Sequence, residues 1–177
     1  MPDRVTIRPP RRSDEKAYLA GVRSSRELHQ PWVFLIASTN AFLKRLEQAK
    51  SPRNASFFVF RSDSGALVGA VDLSEIVRGC FQSAYLGYYA FAPHAGQGLM
   101  REGLRRVVDH AFDEMGFHRL EANIQPGNTA SIGLVRALGF TREGYSRRYL
   151  KVGREWMDHE RWAIVSEDWR ERIDGRR

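Results

Sequence analysis

The sequence predicts a mixed α/β fold, a twisted sheet covered by helices. Three observations carry this expectation. The apolar period switches repeatedly between two residues and about 3.6. The elements run strand, two helices, three strands, helix, strand, helix, two strands. No internal repeat, low-complexity tract or long linker interrupts them, so residues 1–177 read as one domain.

Val5-Thr6-Ile7-Arg8 alternates as a short strand and stops at Pro9-Pro10. Ser13 offers an N-cap, and Ala17, Tyr18, Val22 and Leu28 trace a loose helical face that Pro31 interrupts. A second helix is expected over Thr39 to Lys50, with Phe42, Leu43 and Leu46 on one side. From Ser56 the period becomes that of a strand. Phe57–Phe60, the turn Ser62-Asp63-Ser64-Gly65 and Leu67–Leu73 form a hairpin, and Phe81–Phe91 is an aromatic-rich strand. A long helix follows over Gly98–Glu114, with Leu99, Leu104, Val107, Val108, Ala111, Phe112 and Met115 in one stripe and Gly116 as its C′ residue. His118–Ile124 reads as a strand, and Asn128 caps a short helix that Gly139 ends. Phe140–Leu150 and Trp156–Val165 close the sheet.

Bulk properties exclude several function classes. No apolar run approaches the roughly 18 residues a membrane span needs, so no membrane partner is expected. The segment Met1-Pro2-Asp3-Arg4 lacks a signal-peptide core, which makes the cytoplasm the expected compartment. The single cysteine, Cys80, precludes an internal disulfide framework and a Cys-based zinc site. His94, His118 and His159 have dissimilar contexts, and no metal is expected. The net charge of +7 favours anionic partners such as nucleic acid, the ribosome or a polyphosphate cofactor. The charge is scattered, however: Arg4, Arg8, Arg11 and Arg12 near the start, Arg147, Arg148 and Arg154 late, Arg176 and Arg177 last. Scatter of this kind fits a solvated surface better than a nucleic-acid-binding module. Trp32, Trp156, Trp162 and Trp169 read as core and rim aromatics.

One segment carries chemistry by its local design. Ala92-Pro93-His94-Ala95-Gly96-Gln97-Gly98-Leu99 joins the aromatic strand to the long helix. Its glycines let the backbone approach a ligand, and the helix start adds free N–H groups and a positive dipole end. Such a unit cradles a pyrophosphate, although the segment alone reads equally as a tight turn. It matches neither a Walker A loop nor a GxGxxG fingerprint, which counts against nucleoside triphosphates and dinucleotides.

A second segment gives the loop a context. Asn128-Thr129-Ala130-Ser131, Val135, Leu138-Gly139-Phe140 and Glu143-Gly144 follow the loop in order, with His118-Arg119-Leu120-Glu121-Ala122 before them and Trp156-Met157-Asp158-His159 after. Together these resemble the later half of the Gcn5-related N-acetyltransferase (GNAT) family, in its ribosomal-protein-alanine (RimJ/RimL-like) branch. The resemblance covers Tyr88 to Val165, and more loosely back to Thr6. It implies a single acyltransferase domain with a mostly antiparallel sheet and a splayed central strand pair. It also implies acetyl-CoA as cosubstrate, its pantetheine lying between the strand after Phe81 and the strand of Glu121.

Carried over by position, the resemblance puts the pyrophosphate on Ala95, Gly96, Gln97, Gly98, Leu99 and Met100, with Phe91 preceding the loop. The family favours a basic residue at the position of Gln97 and Gly or Ala at that of Met100, so this loop is less basic and more crowded. Arg101 could supply the missing charge, or be a solvated helix residue. Asn128 falls where the family bonds the pantetheine arm, and it also suits a plain N-cap. Ser131 falls where this branch protonates the departing thiolate; a second capping hydroxyl is the plainer reading. Tyr149 is the alternative acid. Glu121, through a water, could collect the amine proton, or simply pair with Arg119. The acceptor implied is a protein N-terminal α-amine, with ribosome association as a further expectation. A small-molecule amine (polyamine or antibiotic) and a non-catalytic RNA- or ribosome-binding protein are the alternatives, and monomer and homodimer are both open.

Overall fold

The computed structural model describes residues 3–175; Met1, Pro2, Arg176 and Arg177 lie outside the described residues. Seven strands form one sheet: β1 (Val5–Arg8), β2 (Ala55–Arg61), β3 (Leu67–Val77), β4 (Ser83–Ala90), β5 (Arg119–Ile124), β6 (Thr141–Val152) and β7 (Glu155–Val165). Their spatial order is β1-β2-β3-β4-β5-β7-β6. Every neighbouring pair is antiparallel except β4 with β5. The helices are α1 (Glu15–Ser24), α2 (Arg26–His29), α3 (Thr39–Gln48), α4 (Leu99–Asp113), α5 (Thr129–Leu138) and α6 (Ser166–Asp174).

Alternation along the strands divides the core between the two sheet faces. On one face Ala84, Leu86, Leu120, Ala122 and Ile124 meet the α4 stripe, Val135 and Leu138 of α5, and Trp169 of α6. Gly103 permits this closeness, because a β-carbon there would lie 2.5 Å from Val59. On the other face Tyr18, Leu19 and Val22 of α1 and Phe42 of α3 pack on Phe58, Ala70 and Phe91. The same face buries the α3 guanidinium of Arg45, which donates to Tyr89 Oη (3.0 Å), Ser56 Oγ (2.8 Å) and Asp72 Oδ1 (2.5 Å). No described helix is long and apolar enough to cross a membrane.

The expected element order holds, and the sheet is mixed and mostly antiparallel, with four departures from the sequence reading. The first helix begins after a 3-10 turn, where Asp14 rather than Ser13 ties the start: its carboxylate accepts from the Arg11 amide at 2.7 Å and from Arg8. That helix breaks at Ser25, whose hydroxyl donates to Gly21 C=O (2.6 Å) and accepts from the Ala92 amide (2.9 Å). Leu28 is therefore exposed and Leu19 completes the buried face. Phe81 stands in an exposed turn before β4 rather than in the strand. Finally, α6 extends the fold beyond the last expected strand, docking Trp169 in the core with Nε1 donating to Asp109 (2.8 Å).

Candidate active site

Parallel strands β4 and β5 pair only at Ser83/Arg119, Ala84/Leu120 and Tyr85/Glu121, then diverge while running on to Ala90 and Ile124. Their outer edges remain paired, β4 with β3 through Ala90 and β5 with β7 through Ile124. Two strand edges thus face one another across a wedge, each with backbone N–H and C=O groups that no strand satisfies. An amide-bearing arm can pair with such edges as a strand would. The chain then turns into α4 after β4 and into α5 after β5, so two positive helix ends start at the same open end of the sheet.

Gly98 is the N-cap of α4 at φ 74°, a left-handed conformation that suits glycine. The first α4 helical bond is Glu102 N–H to Gly98 C=O, which leaves the amides of Leu99, Met100 and Arg101 without helical acceptors. Leu99 and Met100 are buried, so they offer the cleft backbone only. Gln97 folds back, its Nε2 donating to Pro93 C=O at 2.8 Å. Three guanidinia surround this loop. Arg4 donates to Gln97 C=O (3.3 Å), Arg61 to Gln97 Oε1 (3.5 Å), and Arg101 sits one turn into the helix. Arg4 is also paired with Glu102 and Arg61 with Asp63. Arg101 has no carboxylate partner among the described residues and is exposed. Phe91, expected at the cofactor, lies beneath the loop. Its ring is 1% exposed within the Tyr18 cluster, its amide donates to Val68 C=O and its carbonyl accepts from His94, so it anchors the loop from beneath.

At α5 the Asn128 side chain accepts from the Ser131 amide at 3.2 Å, a regular N-cap. Ser131 Oγ lies 2.7 Å from Tyr88 Oη, which reaches over from β4. Tyr88 packs on the α4 side of the sheet, and burial pushes its hydroxyl pKa up to about 12.

Glu121 projects from the opposite face, since Leu120 and Ala122 on either side of it are in the α4 core. Its Oε1 accepts from Arg119 Nε at 3.0 Å, and Arg119 also holds Glu143. Tyr149 shares this face: its hydroxyl is 3.5 Å from that of Tyr85, the residue paired with Glu121. The Tyr85–Tyr149 hydrogen bond, with burial, pushes Tyr85 up to about 12. Tyr149 is thus grouped with Glu121 and not with Ser131.

On this face the segment after α1 straps the open end of the wedge. His29 Nε2 donates to Ala90 C=O at the end of β4 (2.7 Å), and Gln125 Nε2, just beyond β5, donates to Trp32 C=O (3.1 Å). Beside the strap lies a cleft of about 340 Å³ lined by Trp32, Gln125, Gly127, Tyr145, Trp156 and Asp158. Asp158 accepts from Tyr145 Oη (2.6 Å) and from the Arg148 amide (2.8 Å), which hold its carboxyl below the usual range.

The sequence pattern of the Acetyltransferase (GNAT) domain matches residues 4–141. The chain belongs to the GNAT family. Among relatives of this GNAT chain, the "Probable N-acetyltransferase YjcK" of Bacillus subtilis is 37% identical over 69% of the chain and 67% of its own length. The [ribosomal protein uS5]-alanine N-acetyltransferase of Escherichia coli is 36% identical over 64% of the chain, a match spanning 58% of that enzyme. Among solved structures, Mycobacterium smegmatis RimJ in complex with CoA-disulfide superposes with a TM-score of 0.86 at 25% identity, covering 98% of this chain and 90% of that one. Spermidine N-acetyltransferase of Vibrio cholerae, in complex with CoA and spermine, shares the fold at 20% identity, with a TM-score of 0.81 over 95% of this chain and 99% of that one.

GNAT enzymes draw their acetyl group from acetyl-CoA, and the residues of this GNAT chain fit that molecule. The α4 amides and three guanidinia suit a pyrophosphate, and the facing strand edges suit the two amides of a pantetheine. Among the described residues no three His, Cys, Asp or Glu side chains form a metal-binding group. The wedge brings Gly96–Arg101, Asn128 and Ser131 to one end of the sheet, with Glu121 and Tyr149 on its far face. Arg4, Arg61, Tyr88 and Asp158 were missed by the sequence reading. Arg4 and Arg61 are far in sequence from the loop they serve, and Tyr88 reads simply as an aromatic in a strand.

Proposed function

We propose that this chain, acting as one domain in the cytoplasm, transfers the acetyl group of acetyl-CoA to the N-terminal α-amine of a polypeptide. The transfer is direct, within a ternary complex. The observation that carries the reading is the β4–β5 wedge with two helix N-termini at its open end. Bound there, acetyl-CoA supplies a thioester. The α4 amides with Arg4, Arg61 and Arg101 hold the pyrophosphate, and Asn128 positions the arm. Ser131 donates a proton to the departing sulfur from the α5 side. Glu121, on the other face, receives the amine proton through water. An amine adding to one face of the thioester carbonyl would release its proton towards Glu121, and the sulfur would take one from Ser131 as the tetrahedral adduct collapses. Cys80 is exposed in the turn before β4, roughly 20 Å of strand away from the open end of the wedge, which supports direct transfer over an acyl-enzyme.

The cleft beside the strap is the acceptor entrance in this reading. Arg147 and Arg148 of the β6–β7 hairpin act on Asp158, the acidic residue of the cleft, and partly offset the charge that a polycation such as a polyamine would need. Only a neutral amine attacks a thioester. An α-amine ionises with a pKa of about 7.7–8.0 and a lysine with one of about 10.4, so lysine would cost about 4 kcal/mol in deprotonation near neutral pH. Glu121, already engaged by Arg119, suits the less demanding acceptor. The similarity to the uS5-alanine acetyltransferase points the same way, towards a ribosomal protein substrate. Mass spectrometry of peptides with free and blocked N-termini, after incubation with acetyl-CoA, tests this. Acetylation is expected on free α-amines alone; modification of lysine in blocked peptides with none on free α-amines would overturn it.

A further inference from the structure

We infer that Tyr88 is a positioning residue for acetyl transfer, holding the Ser131 hydroxyl so that its proton points at the leaving sulfur. The inference rests on the reading of Ser131 as proton donor. A serine hydroxyl has one proton and two lone pairs. If Ser131 spent that proton on Tyr88, at 2.7 Å, nothing would remain for the sulfur. A developing thiolate is the stronger acceptor, so the serine proton turns to it and leaves a lone pair for a donor to fill. Tyr88 Oη is placed to do so: its single proton can turn from the Ser131 carbonyl, at 3.3 Å, to the nearer Ser131 Oγ, at 2.7 Å. A donor on Oγ polarises the serine O–H and strengthens the bond it gives in turn. Burial raises the phenol's pKa further above working pH, so the hydroxyl has a proton to give. One proton passes from Ser131 Oγ to sulfur as that oxygen takes another from water, so no free alkoxide forms and Tyr88 keeps its own proton.

The geometry explains why the contact crosses the wedge. Tyr88 stands on β4, three residues beyond the last pair with β5, and Ser131 stands on the helix that follows β5. Their bond joins the two banks on the side where the thiol leaves. It therefore couples the orientation of the acid to the width of the gap that holds the acyl arm.

The test is a double-mutant cycle of Tyr88→Phe, Ser131→Ala and both together, read by kcat, by calorimetric acetyl-CoA affinity and by unfolding midpoint. Tyr88→Phe is expected to lower kcat about tenfold, the worth of one neutral hydrogen bond, with affinity changed less than about twofold. Ser131→Ala is expected to lose about 10²–10⁴-fold, the range of general acid catalysis. Adding Tyr88→Phe to Ser131→Ala is expected to cost nothing more, because the tyrosine acts through the serine. Three outcomes would overturn the inference while leaving Ser131 in place: a Tyr88→Phe loss below about twofold, losses that multiply in the double variant, or a loss confined to affinity and stability. A Ser131→Ala loss below about threefold would instead remove the reading on which the inference rests.

Discussion

Asp14 shows how one residue decides a local start that Ser13 was expected to make. Its carboxylate is 8% exposed and accepts from Arg8 (2.7 and 2.8 Å) and from the Arg11 amide. Burial alone would raise its pKa, but these hydrogen bonds and the Arg8 charge hold it below the ordinary carboxylate range. A carboxyl lowered on folding stabilises above its unfolded pKa and loses that contribution as pH falls through the folded value. Asp14→Asn should therefore cost about 2 kcal/mol at neutral pH, the worth of a charge-assisted bond. The gap should shrink below about pH 4, where the unfolded carboxyl protonates. Urea unfolding of both proteins at neutral and acid pH checks this, and a gap independent of pH would contradict it. The residue scale is also where sequence reading is weakest. Ser13 and Asp14 are both good caps by type, and the positions of Arg8 and of the Arg11 amide separate them. Tyr88 and Asp158 likewise acquire roles from residues 43 and 10 positions away.

At the scale of elements the sequence was more legible, because local chemistry sets element ends. Gly98, Gly116 and Gly139 adopt positive φ next to helix ends, as glycine flanking an apolar helical stripe leads one to expect. Asn128 caps α5 as read. The break at Ser25 was not legible, since a serine in a helical pattern gives no warning that Gly21 and Ala92 will claim its hydroxyl. Nor was the basic setting of the loop: Gln97 looked like a lost charge, while Arg4, just before β1, and Arg61, at the end of β2, stand beside it. Gly98 lets this account be tested on an element. A valine there would hold a branched side chain at φ 74°, with Arg4 Nη2 3.5 Å from its β-carbon. The strain is about 1–3 kcal/mol. Acetyl-CoA affinity should fall more than tenfold in a variant that still unfolds cooperatively, and calorimetry showing unchanged affinity would remove the loop from the cofactor site.

Across the whole molecule one parallel pair, β4 with β5, interrupts an otherwise antiparallel sheet. There two helices begin side by side at the ends of neighbouring strands, and, among the described residues, only there do two strand edges lie open to each other. The order of elements made that juxtaposition legible through the resemblance, while the strap from His29 to Trp32 and the helix α6 emerge only in three dimensions. In the proposed reaction an amine and acetyl-CoA occupy the two sides of this wedge together. Thiol release from acetyl-CoA, followed with and without peptides bearing a free α-amine, tests it most directly. Release that appears only when the acceptor is present, in step with acetylated product, is the result expected. Equal release without any acceptor, or none from a protein that binds both partners, would contradict it.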